Sequence, residues 1–238
     1  MPSAAHSLDQ FVRFVVLRYA PAFLGIALLV LFGAAKELPP IDRFESQIKK
    51  FEAEDKEAPP PSDAILFVGS SSIRLWDLKA SFPGLPAINR GFGGSFLRES
   101  TYYAERIVIP YKPKVIVLYA GDNDIASGIT ADELLGDYKK FVEKIHASLP
   151  DTHIVFLSIK PSVSRWALYD EQKKANGLVN EFSKADKRLH FVDLGAPLLG
   201  ADGKPRADLL LKDGLHLNEA GYAVWTSVLT PVLNGIQS

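Results

Sequence analysis

The chain of 238 residues contains no cysteine. Disulfide bonds, thiolate metal sites and a cysteine nucleophile are therefore excluded, and so is the acylated cysteine that a bacterial lipoprotein needs. The absence says nothing about the compartment, because many exported proteins have no disulfide bond. The composition is 47% apolar and 23% charged, which is ordinary for a globular protein with a buried core. This length accommodates one sizeable domain with an appendage, or two small domains.

The sequence also lacks an excess of charge and the patterns that bind nucleic acids, nucleotides or metals. Its formal net charge is −1, and lysine and arginine are scattered, so binding to nucleic acid is not expected. The segment Asn89-Arg-Gly-Phe-Gly-Gly94 fails the dinucleotide fingerprint because Phe96 stands where a glycine is required. No Walker pattern is present, and no histidines and carboxylates have metal-ligand spacing. We therefore expect no cofactor and no metal.

The N-terminal segment is apolar. Residues 19–35 carry no charge, and Arg13 and Arg18 precede them. As a helix this run would rise roughly 25 Å, slightly less than a ~30 Å hydrocarbon core. Three interpretations stay open: a signal anchor that is kept in the mature protein and holds it to the inner membrane, a signal peptide cleaved near 33–35, and a buried helix of the globular core. In both export interpretations of residues 1–35, the rest of the protein is periplasmic or otherwise extracytoplasmic.

Residues 36–62 are polar, rich in charge and interrupted by proline, which is typical of a linker. Within them Ile41, Phe44, Ile48 and Phe51 recur at spacings of three and four residues, a pattern that predicts an amphipathic helix. A short coiled-coil stalk is the alternative, but the stripe is too short for stable self-association. We expect this helix to fold back and pack on the domain that follows, residues 63–238.

From residue 63 onward, short apolar runs alternate with amphipathic helices. Apolar runs bounded by turn residues predict buried strands at residues 64–69, 86–89, 114–120, 153–159 and 189–193. Helices are expected at about 97–108, 131–148, 169–185 and 218–235. This alternation predicts a parallel sheet with right-handed crossovers. The predicted fold is α/β: a three-layer α/β/α sandwich around a five-stranded parallel sheet of flavodoxin-like type.

Polar residues cluster where the predicted strands end. Gly69-Ser-Ser71 ends the first strand, Gly94 follows the second, Asn123 follows the third, and Asp213-Gly-Leu-His216 follows the fifth. In an open α/β sheet, ligands bind beyond the carboxyl ends of the strands, so the fold would bring these groups to one edge. An acid three residues before a histidine can orient the imidazole, which can then deprotonate a serine on a tight turn.

Together these blocks resemble the SGNH (GDSL-type) hydrolases, a family of serine esterases and acylhydrolases, from about Asp42 to the end of the chain. The branch similar to platelet-activating-factor acetylhydrolases matches best. The resemblance implies a catalytic triad and an oxyanion hole. The triad would be Ser71, Asp213 and His216, and the oxyanion donors would be the backbone N–H groups of Ser71 and Gly94 and the side-chain amide of Asn123.

One position departs from the family pattern. Ser70 stands where the family has aspartate, which puts the support of the nucleophile loop in doubt. Three serines are thereby adjacent, and the position within the block favours Ser71 over Ser70 and Ser72. Arg74 and Trp76 also match the acetylhydrolase-like branch, and we expect them to pack the first turn after the nucleophile.

The resemblance implies two-step acyl transfer through an acyl-enzyme. We expect a short-chain, and in particular an acetyl, ester as substrate, with O-acetylated envelope carbohydrate within reach. A lysophospholipase or thioesterase, a glycan O-acyltransferase and a catalytically idle, membrane-tethered binding module remain alternatives. Candidate wall residues of the acyl site are Phe92, Ile125, Trp166 and Leu215.

Overall fold

The computed structural model describes residues 37–61 and 63–237. The predicted N-terminal helix of residues 1–35 lies outside the described residues. Within the described ranges, no helix combines the length and the apolar character that crossing a membrane requires. From Pro39 onward the chain forms one compact unit, which contains both the predicted linker helix and the predicted domain.

A parallel sheet of five strands forms the centre of this unit, with the order β2-β1-β3-β4-β5. This is the flavodoxin-like order. Every residue of the first and third strands is buried, as expected for strands covered on both faces. The predicted α/β fold with a five-stranded parallel sheet is confirmed. The strands are β1 (Ile65–Gly69), β2 (Ala87–Gly91), β3 (Val115–Tyr119), β4 (His153–Leu157) and β5 (Leu189–Val192).

Eight α-helices lie within the described residues: α1 (Glu45–Glu57), α2 (Ser71–Arg74), α3 (Leu78–Ser81), α4 (Leu97–Ile107), α5 (Asp122–Ala126), α6 (Ala131–Ser148), α7 (Tyr169–Ser183) and α8 (Glu219–Gln237). They cover both faces of the sheet. On one face α6 packs between α4 and α7, and α1 packs on α4. On the other face, alternate residues of the strands join Trp76, Phe82 and Trp225 in one apolar core with α3 and α8.

Local sequence signals explain where several elements begin and end. Helix α6 begins where predicted, because Thr130 and Glu133 each accept a hydrogen bond from the other's backbone N–H. Helix α8 begins after Asn218, whose side chain accepts from the Gly221 N–H at 3.0 Å. Strand β2 extends beyond the predicted residues 86–89, since it remains paired with β1 up to Gly91.

Helix α1 occupies the segment interpreted as a linker and packs on α4. Ile48 and Phe51 of the apolar stripe are buried. The ion pairs of Glu45 and Glu52 with Arg106 are partly exposed and are each worth at most about 1 kcal/mol, so the apolar contacts contribute more to the attachment than these pairs do. Polar contacts still define how the helix sits: Glu45 and Glu52 bind Arg106 of α4, and Asp55 binds Arg90 of β2 and Tyr111.

Gly69, the last residue of β1, allows the chain to turn sharply before α2. Its φ is +134°, and a Cβ atom would lie 2.0 Å from the carbonyl oxygen of Tyr119 in β3. The N–H of Ser70 donates to that same oxygen at 3.0 Å. Both the backbone conformation and the close approach therefore require glycine, and they decide where the chain leaves the sheet.

We predict that Gly69→Ala lowers the free energy of unfolding by at least ~2 kcal/mol, because the added methyl group collides with backbone that cannot move aside. The matched control is Gly136→Ala in α6, where a Cβ atom meets nothing within 4 Å. That substitution should stabilise the protein by about 0.5–1 kcal/mol through helix propensity. Urea unfolding of both variants measures the difference, and similar unfolding free energies would contradict the assigned role of Gly69.

Candidate active site

The carboxyl edge of the sheet carries all five residues that the sequence singles out. Ser71 is the first residue of α2, directly after β1, and Asn123 lies in α5, directly after β3. Gly94 lies in the loop that follows β2, while Asp213 and His216 lie in the loop between β5 and α8. Because the strands are parallel, these separate segments reach one place, and four of these residues line one cleft: Ser71, Gly94, Asn123 and His216.

Ser71, His216 and Asp213 form a continuous hydrogen-bonded chain. The His216 Nε2 atom lies 2.9 Å from the Ser71 Oγ atom, and its Nδ1 atom lies 2.6 Å from the Asp213 Oδ2 atom. With the proton on Nδ1, the ring donates to the carboxylate and presents Nε2 as the acceptor for the serine hydroxyl. This is the arrangement that activates a serine as a nucleophile.

Asp213 is ionised, and backbone N–H groups of its own loop orient its carboxylate. Its Oδ1 atom accepts the backbone N–H groups of Leu215 and His216 at 2.9 and 3.0 Å. The hydrogen bond from the His216 ring, followed by these two backbone bonds, lowers the pKa of Asp213 to about 2. The carboxylate is therefore ionised wherever an esterase operates, and it can stabilise a positive charge on the imidazole.

The side chain of Asn123 is fixed at both of its polar atoms. Its Nδ2 atom donates to the Ser95 carbonyl oxygen at 3.1 Å, and its Oδ1 atom accepts from the Arg165 guanidinium at 3.1 Å. An amide nitrogen has two hydrogens, so one N–H remains for a ligand in the cleft.

The Ser71 N–H lies at the first turn of α2, where no intrahelical carbonyl accepts it. Gly94 has a φ of +82°, and its loop position exposes it to the cleft.

Arg165 is a residue that the sequence reasoning missed. Besides binding Asn123, it pairs with Asp122 at 2.8 Å, and Asp122 is 5% exposed. Lys160 lies 3.5 Å from the same carboxylate, and its complete burial lowers the pKa of its ammonium group. Arg165 belongs to no motif. The one available signal was its position in the loop after β4, which lies at the same edge of the sheet as the other site residues. The guanidinium thus fixes which way the Asn123 amide points.

Asp124 ties two of the motif segments together. Its carboxylate accepts the N–H of Leu97 at 2.9 Å and the N–H of Gly121 at 3.1 Å. The side chain is almost fully buried, and this burial raises its pKa to about 7. The loop that carries Gly94 is therefore anchored to the turn that carries Asn123.

Backbone bonds support the nucleophile at the position where the family has aspartate. The Ser70 N–H donates to Tyr119, and the Ser70 carbonyl accepts the N–H groups of Ile73 and Arg74 at 3.0 and 3.1 Å. Ser70 and Ser72 are buried, and it is the Ser71 hydroxyl that lies within hydrogen-bond distance of the imidazole and donates to it. Of the two neighbouring matches, Trp76 is buried as expected, whereas Arg74 lines the cleft.

The cleft measures about 430 Å³ and has a mixed apolar and polar lining. Two of the candidate wall residues, Phe92 and Leu215, contribute to it. The other two were wrong: Ile125 is buried inside the fold, and Trp166 stacks on Tyr169 with ring centroids 4.6 Å apart. Helix α1 and the residue before it add the side chains of Gln47 and Phe44. In the part of the chain that the structure describes, no cluster of three or more histidine or acidic residues could hold a metal ion.

Comparisons with known proteins agree with this geometry. Residues 71–224 match the family model of the GDSL-like Lipase/Acylhydrolase family. The chain is 27% identical over 205 residues to the platelet-activating factor acetylhydrolase IB subunit alpha1 of Bos taurus, with 82% of each chain covered.

Solved structures share the fold. One is a platelet-activating-factor protein from Streptococcus pneumonia, with a TM-score of 0.71, 24% identity, and coverage of 79% of this chain and 92% of that chain. Another is a catalytic mutant of an acetylxylan esterase from Geobacillus stearothermophilus, with a TM-score of 0.58, 16% identity, and coverage of 74% and 96%. The resemblance inferred from the sequence is confirmed: the chain belongs to the GDSL-like lipase/acylhydrolase family, the SGNH hydrolases, and is a carboxylic ester hydrolase.

Proposed function

We propose that the protein hydrolyses short-chain esters, in particular acetyl esters of envelope carbohydrate, through an acyl-enzyme on Ser71. The observation that carries this proposal is the 2.9 Å hydrogen bond between His216 and Ser71, completed by the 2.6 Å contact of His216 with Asp213. A serine without such a base is a weak nucleophile at neutral pH, and this one has both a base and a carboxylate that orients it.

The first half of the reaction forms the acyl-enzyme. The Ser71 Oγ atom attacks the ester carbonyl carbon while its proton passes to the His216 Nε2 atom, and Asp213 stabilises the resulting imidazolium. The carbonyl oxygen becomes an oxyanion, to which the N–H groups of Ser71 and Gly94 and the side-chain amide of Asn123 donate hydrogen bonds. Collapse of this intermediate breaks the ester C–O bond, and the imidazolium protonates the departing alkoxide.

The second half releases the acid. Water enters the cleft, His216 removes its proton, and the hydroxide attacks the acyl carbonyl carbon. The same donors stabilise the second oxyanion. Its collapse breaks the bond to the Ser71 Oγ atom, which takes back the proton from the imidazolium, and the carboxylic acid leaves.

The lining of the cleft favours a small acyl group and a polar alcohol. Phe92 and Leu215 offer apolar contact for a methyl group, while Gln47, Arg74 and Arg165 bring hydrogen-bond donors around the nucleophile. Polar groups arranged in this way suit the hydroxyl groups of a carbohydrate. The structurally similar acetylxylan esterase supports an acetylated carbohydrate as the substrate class.

We place the protein outside the cytoplasm, next to the membrane. This proposal depends on the uncharged residues 19–35 and the two arginines that precede them, a pattern typical of a signal anchor or signal peptide. Acetylated envelope carbohydrate would be accessible there.

We predict that Ser71→Ala abolishes hydrolysis of p-nitrophenyl acetate, because a methyl group then replaces the hydroxyl that His216 would deprotonate and the enzyme has no nucleophile. The matched control is Ser70→Ala, which should keep most of the activity since Ser70 is held through its backbone. Comparing acetyl, butyryl and octanoyl esters measures the chain-length preference, for which we expect acetyl to be fastest. Undiminished turnover by Ser71→Ala would exclude the proposed nucleophile. Transfer of acetyl to a glycan hydroxyl faster than its release as acetate would favour a transferase.

We predict that Asp213→Asn lowers kcat by a factor on the order of 10²–10⁴ at every pH from about 4 to 9. The lowered pKa of Asp213, about 2, means that the carboxylate gains a proton only below this range. Its loss therefore lowers kcat/KM throughout this range, and no limb of the wild-type profile between about pH 4 and 9 reports titration of Asp213 itself. Asp208→Asn, an exposed aspartate on the same loop, is the control. A variant that reached the wild-type rate at any pH in this range would refute the role.

We predict that Arg165→Ala lowers kcat by roughly tenfold with a smaller change in KM, because the Asn123 amide then loses the guanidinium that binds its oxygen and fixes its orientation. Removal of an oxyanion donor itself costs on the order of 10²–10³, so Asn123→Ala should be the more damaging change. Arg188→Ala, which breaks an ion pair with Asp186 at the amino end of β5, is the control. Equal kinetics for the Arg165 and Arg188 variants would show that Arg165 has no positioning role.

A further inference from the structure

The loop that carries Gly94 has to hold an unusual conformation without strand pairing. Gly94 lies beyond the last paired residue of β2, Gly91, and its φ is +82°. A glycine in this region has more accessible conformations than other residues, so its neighbours must restrict it. Three contacts restrict the loop after Gly94: Ser95 accepts from Asn123, Phe96 donates to Glu99 at 2.8 Å, and Leu97 donates to Asp124 at 2.9 Å.

The carbonyl group of Gly94 itself is held from outside the loop, by Arg43. The Arg43 Nη2 atom donates to the Gly94 oxygen at 2.9 Å. The same guanidinium makes two bonds to Glu99, from Nε to Oε1 at 2.6 Å and from Nη2 to Oε2 at 3.0 Å. The Glu99 side chain is fully buried, whereas Arg43 is 31% exposed. A planar guanidinium that is doubly bonded to a buried carboxylate has little freedom, so its remaining donor has a fixed direction.

We propose that Arg43 is a positioning residue of the oxyanion hole, a proposal that rests on the function proposed above. The bond from Arg43 fixes the peptide between Gly94 and Ser95. The next peptide, between Ser95 and Phe96, carries the Ser95 oxygen, to which the Asn123 amide donates at 3.1 Å. The Gly94 N–H lies in the peptide just before the one that Arg43 holds, and the oxygen that binds the Asn123 amide lies in the peptide just after it. Arg43 therefore fixes the short stretch of backbone that positions two of the three oxyanion donors.

The position of Arg43 in the chain gives this contact a wider meaning. Arg43 lies just before α1, within residues 36–62, whose composition is typical of a linker. Phe44 follows it and makes an edge contact with Phe92, with ring centroids 5.1 Å apart, inside the cleft. Docking of α1 through buried Ile48 delivers both side chains to the site. Residues 43–57 thus belong to the working enzyme, and the catalytic unit does not begin at residue 63.

The test compares Arg43→Lys with Arg106→Lys in the full-length protein. Lysine at position 43 keeps a positive charge beside buried Glu99 but cannot reproduce the two parallel bonds and the third bond to Gly94. Arg106 offers the matched control, because its guanidinium is hydrogen-bonded to Glu45 and Glu52 of α1 rather than to the Gly94 loop. We expect Arg43→Lys to lower kcat for p-nitrophenyl acetate by at least about tenfold with KM within about twofold.

Two further measurements separate positioning from loss of structure. The melting temperatures of the two lysine variants should agree, and the affinity for an alkylboronic acid, which forms a tetrahedral adduct on the serine, should fall in parallel with kcat only for the Arg43 variant. The double variant Arg43→Met/Glu99→Gln removes the buried charge together with its partner, and it should show the same kinetic loss while folded.

The outcomes distinguish this inference from the proposed function. If Ser71→Ala is inactive while Arg43→Lys and Arg106→Lys have the same kcat and boronate affinity, the positioning role is overturned and the serine mechanism stands. If Ser71→Ala retains activity, the proposed function fails whatever the Arg43 variants do. A drop in kcat for Arg43→Lys that is matched by a drop in melting temperature absent from the control would also overturn the inference, because a structural role would then explain it.

Discussion

Parallel pairing of β1 with β2 and β3 aligns Gly69 with Gly91 and Tyr119 at one level of the sheet. Each chain segment leaves the sheet just beyond that level, so side chains far apart in sequence meet there. The hydrogen bond between Ser71 and His216 joins residues 145 positions apart. It requires no direct attraction between the segments before folding, because burial of the strands on both faces supplies the driving force. The site is a consequence of where five strands end.

A second common feature is that arginines from outside the motifs hold the oxyanion donors in place. Arg165 pairs with buried Asp122 and orients Asn123, while Arg43 pairs with buried Glu99 and binds the Gly94 carbonyl. In each case a buried carboxylate fixes the guanidinium, and a second donor of the guanidinium fixes the catalytic group. Breaking such a pair by removing only the cation would leave an uncompensated buried charge. Each guanidinium therefore both neutralises a buried carboxylate and orients a catalytic group, and a substitution that keeps the positive charge separates the two roles.

How much of this could be predicted differs from element to element. Helix α6 was predicted over 131–148 and is found there, because its capping residues and its apolar face are local signals. Strand β2 was predicted two residues too short, since Arg90 and Gly91 look like loop residues until β1 pairs with them. The stripe of Ile48 and Phe51 indicated a helix that folds back, yet nothing in its periodicity showed that Arg43 and Phe44 would reach the cleft. Two of the four candidate wall residues, Ile125 and Trp166, were wrong. The direction in which a side chain points depends on how its helix or loop packs on the rest of the fold, and the local sequence does not show this.

The sequence by itself determined the α/β fold, the family, and the residue types available for ester chemistry at each strand end. It did so because strand and helix periodicity and short motifs are written within windows of a few residues. The tertiary structure decided which arginine side chains orient the oxyanion donors. With 27 lysine and arginine and 28 aspartate and glutamate residues in the chain, any of several hundred pairings is compatible with the composition. Only the packing of α1 on α4 and of the β4 loop on α5 selects Arg43 with Glu99 and Arg165 with Asp122, because a guanidinium pairs with whichever carboxylate folding brings within reach.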